Sequence, residues 1–231
     1  MEKDKDALAL ELQQLDIALK TQQLENHAKR SAADIQQTIV ETALKQLELE
    51  TKSRTGNADR NDSWHNGEFT LYDSVSESKV KAIVASINLC HRTYPGKPMT
   101  LILCSPGGDV MHGLALYDLL QTMRNQGHHL TVRCFGMAAS MGSILLQAGD
   151  VREIGGYAHV LIHEVSTFTW GKLFELKDEV EFCKNLWDKL AKILAGRSNM
   201  TADEIQKKAD RKEWWMDAAE ALEHGFVDKV I

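Results

Sequence analysis

Proline is nearly absent from this chain: Pro95, Pro98 and Pro106 are the only three among 231 residues. None of them, and no glycine, falls within residues 1–51, so nothing there forces a turn. Cysteine is almost as rare. Cys90, Cys104, Cys134 and Cys183 are far apart with no C-x-x-C pair, which argues against a zinc ribbon or a dithiol redox motif. Cys104 and Cys134 lie inside apolar, strand-like runs and read as small buried hydrophobes rather than disulfide partners or metal ligands. A basic excess is missing too: 27 Lys and Arg face 33 Asp and Glu, a net charge of -6, which excludes the basic face of a nucleic-acid binder. No apolar run approaches the roughly 18 residues of a membrane span. Met1-Glu-Lys-Asp-Lys-Asp lacks the apolar centre of a secretory signal. Neither G-x-G-x-x-G nor G-x-x-x-x-G-K is present, so a phosphate-cradling loop is not expected. The reading is a soluble, cytoplasmic protein with no nucleic-acid or membrane partner and no metal or cofactor.

The amino-terminal 51 residues are rich in Leu, Gln, Glu, Lys and Ala. Leu8, Leu12, Leu15 and Leu19 form an amphipathic helical seam, and Ile35, Ile39, Ala43 and Leu47 form a second. Between them, Glu25 to Ser31 has no seam and predicts a break. Two short heptad runs do not establish a long coiled coil; the segment is either a loosely docked helical extension or one that associates with copies of itself or with a partner. Residues 52–66, centred on the polar Thr55-Gly-Asn-Ala-Asp59, predict a linker. Residues 67–231 predict the folded domain.

In that domain strand and helix patterns alternate, which predicts an α/β fold. Glu68–Tyr72 alternates like a strand. Ser74 or Ser76 is placed to cap a helix carrying Val80, Ile83, Val84 and Ile87. Met99–Cys104 is almost continuously apolar, as a central parallel strand is. A helix bearing Leu114, Leu116, Leu119 and Leu120 follows, then a strand at Thr131–Phe135, a short helix at Leu145–Ala148 and a strand at Ala158–His163. Leu173 to Ile193 keeps helical spacing over a long stretch, with Gly196 placed as its C-cap. Thr201-Ala-Asp-Glu204 has the capping-box form. Ala218–Glu223 predicts a short helix and Gly225–Ile231 a final strand.

Two loops leave the carboxyl ends of predicted parallel strands, where α/β sheets place their sites. Ser105-Pro-Gly-Gly-Asp109 has adjacent glycines that leave backbone N–H groups accessible. Gly136-Met-Ala-Ala-Ser-Met-Gly142 holds Ser140 between small residues at a strand-to-helix turn. Ser140 is there either as a helix cap or as an exposed nucleophile. A serine needs a base, and His163, at a strand end, is the residue type required. His159, at the start of the same strand, shares its face without needing to share a role. Asp210 and Glu213 are the acid candidates.

Ser105-Pro-Gly-Gly, Gly136-Met-Ala-Ala-Ser-Met-Gly142, Leu161-Ile-His163 and Glu220-Ala-Leu-Glu-His-Gly-Phe-Val-Asp228 together resemble the proteolytic subunit of the Clp protease family in order and approximate spacing, over residues 67–231. The style is that of the divergent, phage- and prophage-borne Clp-like peptidases. The resemblance implies a crotonase-like βαβ spiral with a projecting handle helix, and a serine endopeptidase cleaving peptides or unfolded proteins inside an oligomeric chamber. It implies Ser140 as nucleophile, His163 as general base, the N–H groups of Gly108 and Met141 as oxyanion hole, and the backbone of Asp109 and Val110 as the substrate-holding edge. It implies a homo-oligomeric ring, heptameric and able to stack in two, with a AAA+ unfoldase as partner. Two departures stand out. The third catalytic position is Glu213 when aligned on Trp215-Met216, with Asp210 as the alternative. Where the family lines its unfoldase dock with aromatics, this chain has Thr100, Ile102 and Thr122, which argues against a standard Clp ATPase. The alternatives are a non-catalytic ring subunit and, on fold kinship, a crotonase-type acyl-CoA enzyme.

Removing residues 1–55 separates the two readings of the extension. If it associates, native mass or peptidase activity changes; an unchanged particle with unchanged activity rules association out.

Overall fold

The protein is described by a computed structural model covering residues 62–166 and 170–231, with Lys20, Gln22 and Lys45 as isolated positions. The expected helical extension and most of the expected linker lie outside the described residues. The chain divides into two units at Arg60/Asn61, and the sheet and its helices belong to the second.

Strict alternation of side chains builds the sheet. In β2 (Met99–Ser105) every second residue is buried and the others half-buried. A 3-10 turn at Asp62–Asn66 leads into β1 (Glu68–Leu71), which runs parallel to β2. β3 (Leu130–Ala139) lies parallel on the other side of β2, followed by β4 (Val151–Ile154) and the two-residue β7 (Lys229–Val230), all parallel. The far end of β3 pairs instead with β5 (His159–Ile162), and β5 pairs antiparallel with β6 (Trp214–Met216). The expected α/β class is the observed one.

The helices fill the connections. α1 (Glu77–Thr93) buries Val80, Ile83, Ile87 and Cys90, at helical spacings of three and four. Ser76 stands at its N-cap, yet its hydroxyl makes no cap bond. α2 (Val110–Asn125) buries Leu116, Leu120 and Met123. α3 (Met141–Leu146) is buried at every residue. α4 (Leu173–Ala195) changes character along its length: Leu186, Leu190, Ala191 and Leu194 are buried, whereas Leu173, Phe174, Val180 and Phe182 in its first half are exposed. Gly196 is its C-cap but adopts ordinary right-handed geometry, so its conformational freedom goes unused. α5 (Ala202–Ala209) has the expected capping box, with Thr201 and Glu204 bonded reciprocally. α6 (Ala218–Glu223) is capped by Asp217.

Three differences from the sequence reading have physical causes. The strand expected at Thr131–Phe135 runs on to Ala139, because its small residues find a second partner in β5. Val151–Ile154 forms a strand that the sequence pattern does not predict, since Arg152 and Glu153 interrupt its apolar run. Both are nonetheless buried, Arg152 against Asp228 and Glu153 against Arg133. The final strand shrinks to Lys229–Val230, because Phe226 and Val227 turn into the core instead of lying on the sheet.

Arg152 closes the carboxyl end onto the body. Its Nε and Nη2 donate to the Asp228 carboxylate at 3.0 and 2.5 Å, its backbone N–H donates to the same carboxylate at 2.8 Å, and Nη1 reaches the Gln147 side chain and the Gly225 carbonyl. Burial pushes the Asp228 carboxyl up, but the Arg152 bonds outweigh it and hold the group below the usual carboxylate range. A lowered folded-state pKa stabilises the protein above the unfolded-state value and loses that contribution as pH falls through the folded one. Asp228→Asn is therefore expected to lower the melting temperature at pH 7, leaving the buried Arg152 without its counter-charge. The gap from the wild type narrows as pH drops below about 4. A gap independent of pH would refute this ion-pair assignment.

Candidate active site

Ser140 stands where β3 becomes α3, with φ 54° and ψ -120°. Among the described residues only Arg211 shares a positive φ without being glycine. Such geometry costs on the order of 1–3 kcal/mol and persists only where its surroundings over-determine it. Here they do. The Ser140 N–H donates to the Leu161 carbonyl of β5 at 2.9 Å, and the Ser140 carbonyl accepts from the Ser143 N–H at 2.9 Å and the Ser143 hydroxyl at 2.7 Å. The Ser140 hydroxyl makes no cap bond, although the residue occupies the N-cap position.

The Ser105–Asp109 loop is laid against this turn. The Val75 N–H donates to the Gly107 carbonyl at 2.7 Å, and the Asp109 N–H donates to the Val75 carbonyl at 2.8 Å. In such a parallel bridge the groups of Gly108 itself face away from Val75. The Gly107 N–H is held by the buried Ser105 hydroxyl at 3.1 Å. Gly107 has to be glycine, because its φ is +94° and a Cβ there would come within 2.6 Å of the Ser140 Cβ and 3.0 Å of the Met141 nitrogen. Met141 opens α3, so its N–H has no intrahelical acceptor. Neither that amide nor the Gly108 amide has an acceptor among the described residues.

His163 is the first residue beyond β5, half-buried, and its ring has no hydrogen-bond partner among the described residues. It lines one cleft together with Ser140, Gly108, Met141 and Val110. Glu213 and Asp210 do not line it. The β5–β6 register places Ile162 opposite Trp214, so Glu213 comes opposite His163 one step beyond the ladder, and opposed residues share a face. The Glu213 carboxylate, however, accepts the Trp215 indole N–H at 3.1 Å. Asp210 ends α5, exposed beside Arg211. Asp109 also stays out of the cleft. Its carboxylate caps α2 by accepting the His112 N–H at 2.8 Å, and that bond, ahead of the His112 side chain, holds it below the usual carboxylate range.

Three contributors escaped the sequence reading. Val75 pins the glycine loop but follows an unremarkable Asp73-Ser74 turn. Ser105 and Ser143 carry buried hydroxyls that brace the two turns, and only their places within the two glycine-containing runs hinted at it.

A family profile described as Clp protease matches residues 59–231. The ATP-dependent Clp protease proteolytic subunit 2 of Tropheryma whipplei (strain Twist) is 32% identical over 162 residues, which make up 69% of this chain and 88% of that protein.

The backbone strain at Ser140 has a direct test. Ser140→Gly removes the Cβ that makes φ 54° costly, whereas Ser140→Ala keeps it. Denaturant unfolding is expected to show the glycine variant more stable than the alanine variant by about 1 kcal/mol, after the extra chain entropy of glycine is counted. Equal or reversed stability would show the turn to be unstrained.

Proposed function

The chain belongs to the Clp protease family, and we propose that it acts as a serine endopeptidase with Ser140 as nucleophile and His163 as general base. The observation that carries this reading is that Ser140, His163, Gly108 and Met141 line one cleft, with the amides of the last two unbonded among the described residues. In the proposed reaction His163 takes the Ser140 proton as the hydroxyl oxygen attacks a peptide carbonyl. The two amides receive the developing oxyanion, where donors set in advance lower the barrier more than they aid binding. His163 then protonates the leaving amine, and water repeats the sequence on the acyl-enzyme. Of the substrate-holding edge expected at Asp109 and Val110, the Asp109 N–H and carbonyl are already bonded to Val75 and Gly113, and Val110 opens α2. The proposed pairing with a substrate strand therefore runs through the Val110 N–H, which has no acceptor among the described residues. Glu213 is proposed as the acid that orients His163, supported by its place opposite His163 in the strand register; Asp210 is the alternative. Glu213 would exchange the Trp215 indole for the imidazole to do so.

The same reading includes a crotonase-like spiral and a homo-oligomeric, heptameric ring stacked through α4 as its handle. Support comes from the apolar first half of α4, where Phe174 is 75% exposed, and from Trp170 just before it at 92%. Patches of this kind mark association surfaces. The face of β2 and β3 bearing Thr100, Ile102, Thr131 and Arg133 is only half-buried, although parallel sheets are ordinarily covered on both faces. Docking to a standard AAA+ unfoldase is not part of the proposal, because Thr100, Ile102 and Thr122 stand where aromatics were expected. One observation favours a second reading, a non-catalytic ring subunit: the Glu213 carboxylate is bonded to Trp215 rather than to His163.

Ser140→Ala is expected to abolish peptide hydrolysis and fluorophosphonate labelling without changing the fold by circular dichroism. Glu213→Gln is expected to lower kcat by about 10³–10⁴, in line with loss of the orienting acid in other triads, while Asp210→Asn stays within a few-fold. The reverse pattern would make Asp210 the acid. Wild-type chain that assembles but never labels would establish the non-catalytic reading.

A further inference from the structure

We infer that the cleft beside Ser140 admits only a small, uncharged side chain on the residue whose carbonyl is attacked, and that Trp187 of α4 sets the limit. This rests on the peptidase reading and adds the substrate class. The cleft holds about 50 Å³. An apolar cavity of about 150 Å³ accommodates a benzene ring, or about 25 Å³ per heavy atom. By that measure the cleft takes about two carbon atoms, the size of an alanine or serine side chain and short of leucine or phenylalanine.

Its walls explain the size. Met141 and Ile144 of α3 form one side, and Trp187, Leu190 and Leu194 of α4 form another. The α4 wall cannot withdraw cheaply, because Leu190 and Leu194 are buried in the core and anchor this half of the helix. Trp187 is the partly buried member of that wall and its bulkiest side chain, so it is the one whose truncation opens space without emptying the core. Among the described residues the lining carries no lysine, arginine or aspartate; its titratable members are the base His163 and Glu164, which is exposed. A cationic side chain would meet only the solvent-screened Glu164, and an anionic one no cation among the described lining residues. Ser143, also in the lining, has its hydroxyl hydrogen committed to the Ser140 carbonyl.

The test uses the full chain and a series of peptidyl-coumarins that differ only at the residue before the scissile bond: alanine, serine, leucine, phenylalanine and lysine. Wild-type kcat/KM is expected to be at least about 10-fold higher for alanine than for leucine or phenylalanine, a discrimination within reach of steric exclusion. In Trp187→Ala the leucine-to-alanine ratio is expected to rise at least about 10-fold, with Trp187→Phe falling between. Wild type that cleaves leucine or phenylalanine as well as alanine would overturn the inference while leaving the peptidase reading intact. So would an unchanged ratio in both variants, provided their melting curves show them folded. If neither variant folds, the wild-type profile decides alone. Fluorophosphonate labelling on the same samples separates the two levels: no labelling at Ser140 removes the peptidase reading and this inference with it.

Discussion

Strand β3 has to serve two sets of neighbours along one length, and the rest of the site depends on how it does so. Its first half lies between β2 and β4, while its last three residues pair with β5. Against β2 the register slips: Leu103 is opposite Cys134, but Ser105 is opposite Ala138. The surplus residues on β3 make an irregularity that bends the strand. Gly136, at φ +70°, takes up the bend, and a Cβ there would press to 3.0 Å from the Cys104 sulfur. Past that point the strand meets β5, and the Ser140 N–H finds the Leu161 carbonyl. Without the slip, Ser140 and His163 would leave the sheet at different places.

Small residues around Ser140 serve this close approach rather than flexibility. Gly107 permits one backbone segment to lie on another, and Gly142 does the same against Ser105, whose carbonyl oxygen would be 3.1 Å from an added Cβ. The strain in Ser140 is then held by ordinary interactions: its N–H and carbonyl are both bonded, and the buried hydroxyls of Ser105 and Ser143 brace the turns on either side. A residue placed by so many neighbours has its backbone fixed in advance. The hydroxyl is left as the uncommitted group.

Within the second unit, closed and open regions are sharply divided. The carboxyl end is sealed by Arg152, whose guanidinium is satisfied by Asp228, Gln147 and backbone carbonyls. By contrast, the first half of α4 exposes large apolar side chains, and one face of the sheet is only partly covered. Stability of the single unit does not require those surfaces, because the buried residues already form one continuous core. They leave apolar area in water that the fold of this unit does not remove.

By itself the sequence determined whatever depends on near neighbours. Periodicity placed α1, α2 and the long α4, alternation placed β1, an almost unbroken apolar run placed β2, and the Thr201–Glu204 spacing predicted a cap that the structure contains. It also singled out Ser140, His163 and the Ser105–Asp109 loop, since unusual runs of small residues and a strand-end imidazole are local features. Only the tertiary structure decided what depends on partners far along the chain. Arg152 and Glu153 could be read as strand residues only once Asp228 and Arg133 were known to neutralise them in the interior. β6 is three residues long and exists because β5 offers an edge for it. The Glu213 carboxylate lies with Trp215, and Trp187 faces the cleft, because side-chain directions follow from packing between elements and leave no mark in residue spacing.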